Sequence, residues 1–160
     1  LTDLDEYEVV QNIALGSLAL WSFSVEYYKT LEEKRGIDLP TLMLVLPLIY
    51  NESITNSVYK RKFKGGLFNS LNDDKALFVG LQERMQDMSA LSLKSLNLCL
   101  SGKLLMYQHN SYEFVPIRMG TSNLGYAESI KKILSASKRF GYWFATIEFN
   151  ELCQLLKVRF

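Results

Sequence analysis

DLPTLMLVLPLIYNES, residues 38–53, is an almost unbroken apolar run with prolines at positions 40 and 47, and whether it folds as helix or strand decides the architecture. The part from Leu39 to Tyr50 falls well short of the roughly 20 apolar residues a membrane helix needs. Periodicity cannot separate a buried helix from a buried strand when nearly every position is apolar. The prolines can. Asp38 stands where a side-chain oxygen would cap a first helical turn, and Pro40 falls inside that turn, where a missing N–H has no helical partner to lose. Pro47 lies deeper, has no amide to donate to the Met43 carbonyl, and biases Leu46 away from helical geometry. The spacing predicts a short, buried helix that kinks or stops at Pro47, in a chain that is mainly α.

A length of 160 residues suits one domain with a real core, so residues 1–160 are expected to fold as a single domain. Hydrophobic residues make up 48% and charged residues 22%, with a net charge of +1, so no global field draws nucleic acid or membrane and any such attraction must be local. The chain opens at Leu1 without a basic-then-apolar leader and shows no membrane span, which makes the cytoplasm the expected location. Cys99 and Cys153 sit in apolar stretches and read as reduced, buried hydrophobes without a disulfide.

Ahead of the apolar run, Ile13, Ala14, Leu18, Trp21, Val25 and Tyr28 follow helical spacing, with Asn12 as the expected N-cap and Gly36 suited to the left-handed position that closes a helix. After it, Ser53 is expected to cap a short helix that leads into Lys60, Arg61, Lys62 and Lys64 and the Gly65-Gly66 pair, read as a loop. Phe78, Leu81, Met85 and Met88 form a helical stripe, with Asp73 or Asp74 as its expected cap. A further helix is expected from Ser92 to Gly102. "KLLMYQ" and "YEFVPI", separated by His109-Asn110-Ser111, read as a β-hairpin whose second strand Pro116 keeps at an edge. Ile130, Ile133, Leu134, Phe140 and Phe144 share one side of a late helix, and Asn150 is the expected cap of a short final one. Helices, then a hairpin, then helices predict a mainly α fold with a winged helix-turn-helix-like core and flanking N- and C-terminal helices. Here the helix from Ser92 would be the recognition-type helix and Leu104 to Ile117 the wing.

No catalytic constellation is visible. His109 is the only histidine and sits in the hairpin turn. Paired histidines, CxxC and HExxH spacings are missing, and Gly65-Gly66 lacks the spaced glycine and Lys-Ser/Thr of a phosphate loop. Asp73-Asp74 and the group Asp3, Asp5 and Glu6 read as carboxylates favoured at helix starts. The expectation is a chain that is not an enzyme, with no cofactor and no metal.

Lys60, Arg61, Lys62 and Lys64, interleaved with Tyr59 and Phe63, form a basic-aromatic segment able to grip nucleic-acid phosphates, or else an ordinary solvated loop. Lys131, Lys132, Lys138 and Arg139 make a second basic face. "FGYWFATIEF", residues 140–149, holds more aromatic surface than one helix face can bury. Together with the chain end it yields a candidate partner interface of Lys138, Arg139, Trp143, Arg159 and Phe160, since aromatic anchors beside arginine are favoured hot-spot chemistry.

Three stretches together resemble one family. "QNIALGSLALWSFSVEYY" resembles its Asn-x-Ala helix with a central Trp. "LPTLMLVLPLIY" is similar to its Leu-Pro, aliphatic run, Leu-Pro pattern, and "SKRFGYWFATIEFNELCQLLKVRF" to its closing Lys, Gly, Trp-Phe-Ala helix and terminal Leu-Leu-x-Val-Arg. The family is the middle component of bacterial three-component ABC systems, which includes the small subunit of Lamassu-type defence complexes. Ile54 departs from it where a basic residue is expected after a helix start. The resemblance implies a noncatalytic adaptor that links an SMC-like ABC ATPase subunit to a toxic effector subunit, often a nuclease. It implies a role in immunity against phage or plasmids, with DNA reached through the complex and no membrane contact. The competing reading is a freestanding winged-helix DNA-binding regulator. A regulator calls for a basic recognition helix, whereas "SLKSLNLCLSG" offers Lys94 alone, which favours the adaptor.

Overall fold

The computed structural model describes residues 6–120 and 125–160, with side chains of the first helix from Asn12 onward. Its described elements are, in order, α1 (Glu6–Thr30), α2 (Leu39–Ile49), α3 (Glu52–Val58), α4 (Gly66–Asp73), α5 (Leu81–Asp87), α6 (Ser89–Ser101), β1 (Leu105–Gln108), β2 (Glu113–Pro116), α7 (Glu128–Ala145) and α8 (Phe149–Leu156). Mainly helical architecture with one small antiparallel hairpin is what the patterning implied.

The proline-bearing run is the central helix. Asp38 accepts from the Thr41 N–H at 2.9 Å, and Pro40 occupies the first turn. Pro47 ends the helix softly. The Tyr50 N–H still reaches the Leu46 carbonyl at 3.0 Å, so the stop arrives at Ile49, two residues after the proline. Leu42, Leu44, Val45, Leu46, Leu48 and Ile49 are each no more than 1% exposed, because α1, α3, α5, α6 and α7 surround α2. A helix that is apolar all round is one that is covered all round.

Several expected boundaries move. The first helix runs over Glu6–Thr30, so Asn12 lies inside it and is not its cap. Its end is closed by Glu32 and Glu33 in left-handed geometry, not by Gly36. Gly36 is instead pressed against the hairpin: a Cβ there would lie 2.6 Å from the Phe114 carbonyl oxygen. Beside it, Ile37 and Phe114 exchange both backbone hydrogen bonds, at 2.9 and 2.7 Å. Pro116, two residues beyond Phe114, faces the same way, so its missing N–H interrupts no bond to β1.

Asn51 replaces Ser53 as the cap of α3, since Asn51 holds the extended backbone and accepts from the Ile54 N–H at 3.1 Å. Asp73 and Asp74 close α4 and residues 75–80 are turns, so neither aspartate caps α5, which starts after the left-handed Gly80. The sixth helix starts at Ser89, three residues before Ser92. Ser92 and Ser95 are thereby buried in its interior, with Ser95 packed on Gly16 of α1. α8 starts at Phe149 after Glu148, leaving Asn150 inside the first turn.

The core lies where α1 crosses α6 and α7 with α2 beneath them. Phe23 of α1 meets Phe144 edge-on at 5.5 Å, and Phe140 does the same to Trp143 at 5.4 Å. The segment after the hairpin is tied back to α1 by the Trp21 indole, which donates to the Arg118 carbonyl at 2.9 Å. No helix among the described residues is long and apolar enough to cross a membrane.

Candidate functional site

The two basic groups meet. The segment 59–65, between α3 and α4, lies along α7, and three α7 side chains take up its backbone carbonyls. Ser135 Oγ donates to the Tyr59 carbonyl at 2.8 Å, Arg139 Nε to the Arg61 carbonyl at 2.6 Å, and Trp143 Nε1 to the Phe63 carbonyl. Donors four residues apart on a helix share a face, so one stripe of α7 meets alternate residues of the loop. Burial follows the same alternation: Tyr59, Arg61 and Phe63 are half-buried, whereas Lys60, Lys62 and Lys64 are exposed.

Both arginines of this region are committed within the subunit. Arg139 also donates to the Ser135 carbonyl at 3.1 Å and hydroxyl at 2.7 Å, and its guanidinium lies 4.8 Å from the centre of the Phe63 ring. Burial holds its pKa below the usual arginine value. Arg61 pairs with Asp73 at 2.7 Å and donates to the Ser57 carbonyl at 2.9 Å. The ammonium groups of Lys60 and Lys132 both sit by the Tyr59 ring, at 5.2 and 5.1 Å from its centroid.

The remaining candidate partner residues fall in different settings. Trp143 is 2% exposed, so it acts inside the subunit and supports the loop instead of facing a partner. Lys138 is half-buried on α7. At the chain end, the Arg159 N–H donates to Gln82 Oε1 at 2.7 Å and the Arg159 carbonyl accepts from Gln82 Nε2 at 3.2 Å, which fixes the backbone and leaves the side chain exposed. Phe160 is 62% exposed and leans on Phe149 at 5.5 Å. Arg159→Ala is therefore expected to leave the melting temperature within a few degrees of wild type, because exposed side chains away from special features contribute within about 0.5 kcal/mol. A large drop in thermal unfolding would show that the side chain is structural.

Sequence reading missed the exposed apolar surface around the hairpin. Leu39, Pro40, Leu100, Tyr107, Tyr112 and Phe114 line an open groove of about 600 Å3, where Tyr112 is 73% exposed in left-handed geometry. The outward face of α6 carries Leu93, Lys94, Asn97, Leu98 and Ser101, one cation beside two leucines. Turn composition hid Tyr112, and a weakly amphipathic pattern hid the two leucines.

A smaller cleft of about 150 Å3 between the end of α1 and the α7–α8 turn holds Tyr27, Arg35, Asp38 and Glu148. Burial raises the pKa of Tyr27, and of Cys153 with help from the Asp38 charge, while burial pushes Cys99 up to about 12. Burial thus disfavours the thiolate, the nucleophilic form, at both cysteines. His109 is exposed in the hairpin turn, its ring edge-on to Tyr107 at 4.9 Å.

The family model described as ABC-three component (ABC-3C) system Middle Component 3 matches residues 2–160. No curated protein and no solved structure matches the chain.

Proposed function

The chain belongs to the ABC-three component system middle component 3 family, and from that membership we propose a noncatalytic adaptor that joins an SMC-like ABC ATPase to a toxic effector, such as a nuclease. A middle component of a multi-component system has protein partners. The observation that carries the proposal is the match over nearly the whole chain. The finer reading, a cytoplasmic small subunit of a Lamassu-type complex active against phage or plasmid DNA, rests on the resemblance of the Trp-centred first helix, the proline-flanked run and the closing helices. In it, α6 and the hairpin act as a winged-helix-like unit turned toward protein.

The surface chemistry of α6 supports that orientation. A recognition helix that reads DNA carries several cations or amides on its outward face, whereas Leu93 and Leu98 beside one cation, Lys94, and one amide, Asn97, suit an apolar partner better than phosphate. The same face counts against a freestanding regulator.

Co-expression with the ATPase and effector encoded beside this chain tests the adaptor. A tag on this subunit is expected to recover both partners together. Recovery of neither, with all three proteins soluble, overturns the proposal. Arg159→Ala is expected to reduce that recovery while the subunit stays folded. An unchanged recovery removes Arg159 from the interface.

A further inference from the structure

The loop 59–65 is built as a support for lysines. Ser135, Arg139 and Trp143, spaced four residues apart on α7, hold the carbonyls of Tyr59, Arg61 and Phe63, so a loop that runs here as successive turns is pinned against the helix. Odd-numbered residues turn inward and Lys60, Lys62 and Lys64 turn to solvent. Lys132, one turn before Ser135 on α7, brings a fourth ammonium to the Tyr59 ring that Lys60 also approaches.

The choice of cations identifies the occupant. Arginine, the residue favoured at protein interfaces, is occupied internally at both Arg61 and Arg139. The cations left outward are lysines, which protein interfaces disfavour and which bind phosphate as point charges without reading bases. Tyr59 and Phe63, the aromatic residues between them, are turned inward, so the row itself offers little apolar centre for a protein partner. A row on a pinned backbone also has less freedom to lose on meeting a regularly charged polymer.

We propose that Lys60, Lys62 and Lys64, with Lys132, form a sequence-independent contact for the phosphate backbone of a nucleic acid. This goes beyond the adaptor reading and does not depend on it. Three or four neutralised phosphates give a slope of log affinity against log salt of about −3 to −4. Affinity for the free chain falls within or below the ordinary non-specific range of about 10⁻⁴ to 10⁻⁶ M.

Fluorescence anisotropy of the full chain with random-sequence duplex DNA and duplex RNA, titrated with salt from about 50 mM, reads both quantities. The triple variant Lys60→Gln, Lys62→Gln, Lys64→Gln is expected to bind at least tenfold more weakly at the lowest salt and to lose most of the slope. Lys103→Gln, at an exposed lysine before the hairpin, is expected to match wild type. Comparing the two duplexes identifies which backbone is preferred. Coincident affinities and slopes for wild type and triple variant overturn the proposal, as does the absence of binding at low salt. Tight preference for one sequence also overturns it, in favour of a regulator. A triple variant that binds nucleic acid normally but no longer recovers its protein partners reassigns the row to a protein interface. Failure of the adaptor reading shows separately, as loss of partner recovery with wild-type lysines in place.

Discussion

Trp143→Ala is expected to lower the melting temperature by roughly 6–20 °C and to release the basic loop at the same time. Removing a buried tryptophan side chain costs about 3–5 kcal/mol, and each kcal/mol shifts the midpoint of a domain this size by roughly 2–4 °C. The indole contributes in three ways. It fills space against Phe140, its N–H takes up the Phe63 carbonyl, and its six-membered ring lies directly over Gly66, where a Cβ would come within 2.5 Å. The last contact explains why the Gly65-Gly66 pair opens α4 instead of serving only as a flexible link: the helix start must pass beneath the tryptophan. Trp143→Phe separates the parts, because it keeps most of the volume and loses the hydrogen bond. The phenylalanine variant should stay folded but be cut faster by trypsin within 60–64. Equal cutting rates for wild type and Trp143→Phe would show that the loop is held without the indole. A wild-type midpoint for Trp143→Ala would remove Trp143 from the core.

Elements were legible where one physical signal dominated. Asp38 and the prolines disclosed α2, because capping geometry and the missing amide act within a few residues. The hairpin followed from two extended segments around a polar turn, and its observed register, Leu105 opposite Pro116 through Gln108 opposite Glu113, lies inside the expected segments. Caps were less legible because Asn51 and Ser53, or Glu148 and Asn150, are alternatives that only the backbone path decides. The basic segment was visible as composition, yet its division of labour was not. Nothing in "YKRKFK" says that Arg61 turns inward while its neighbours turn outward. That depends on Ser135, Arg139 and Trp143, more than seventy residues away. Trp143 and Arg139 read as partner-facing residues for the same reason, since an aromatic-arginine pair has one appearance in sequence whether it packs against a partner or against its own chain.

Gly141 is the residue whose importance the chain order conceals most, and enlarging it is the second large effect. In an exposed helix interior, glycine to alanine gains about 1 kcal/mol in helix propensity. Here the sign reverses. A Cβ at Gly141 would lie 2.4 Å from the Phe23 carbonyl oxygen and 3.2 Å from its carbon, and both atoms belong to the α1 backbone, which has no rotamer to yield. The two helices must separate. Their crossing is the most extensive helix pairing among the described residues, and it holds Phe144 against both Phe23 and Phe140. Overpacking of this kind costs typically 1–3 kcal/mol, so Gly141→Ala is expected to lower the midpoint by roughly 2–12 °C. Gly141→Val, with two further methyls and a β-branch, should exceed that or fail to fold. Gly120→Ala is the control, because no atom of the described residues lies within 4 Å of a Cβ there and its midpoint should not move. Thermal unfolding of the three variants in parallel decides the matter. A Gly141→Ala midpoint at or above wild type would mean that α1 and α7 do not cross at this distance, and the surface that α7 presents to the basic loop would have to be redrawn with them.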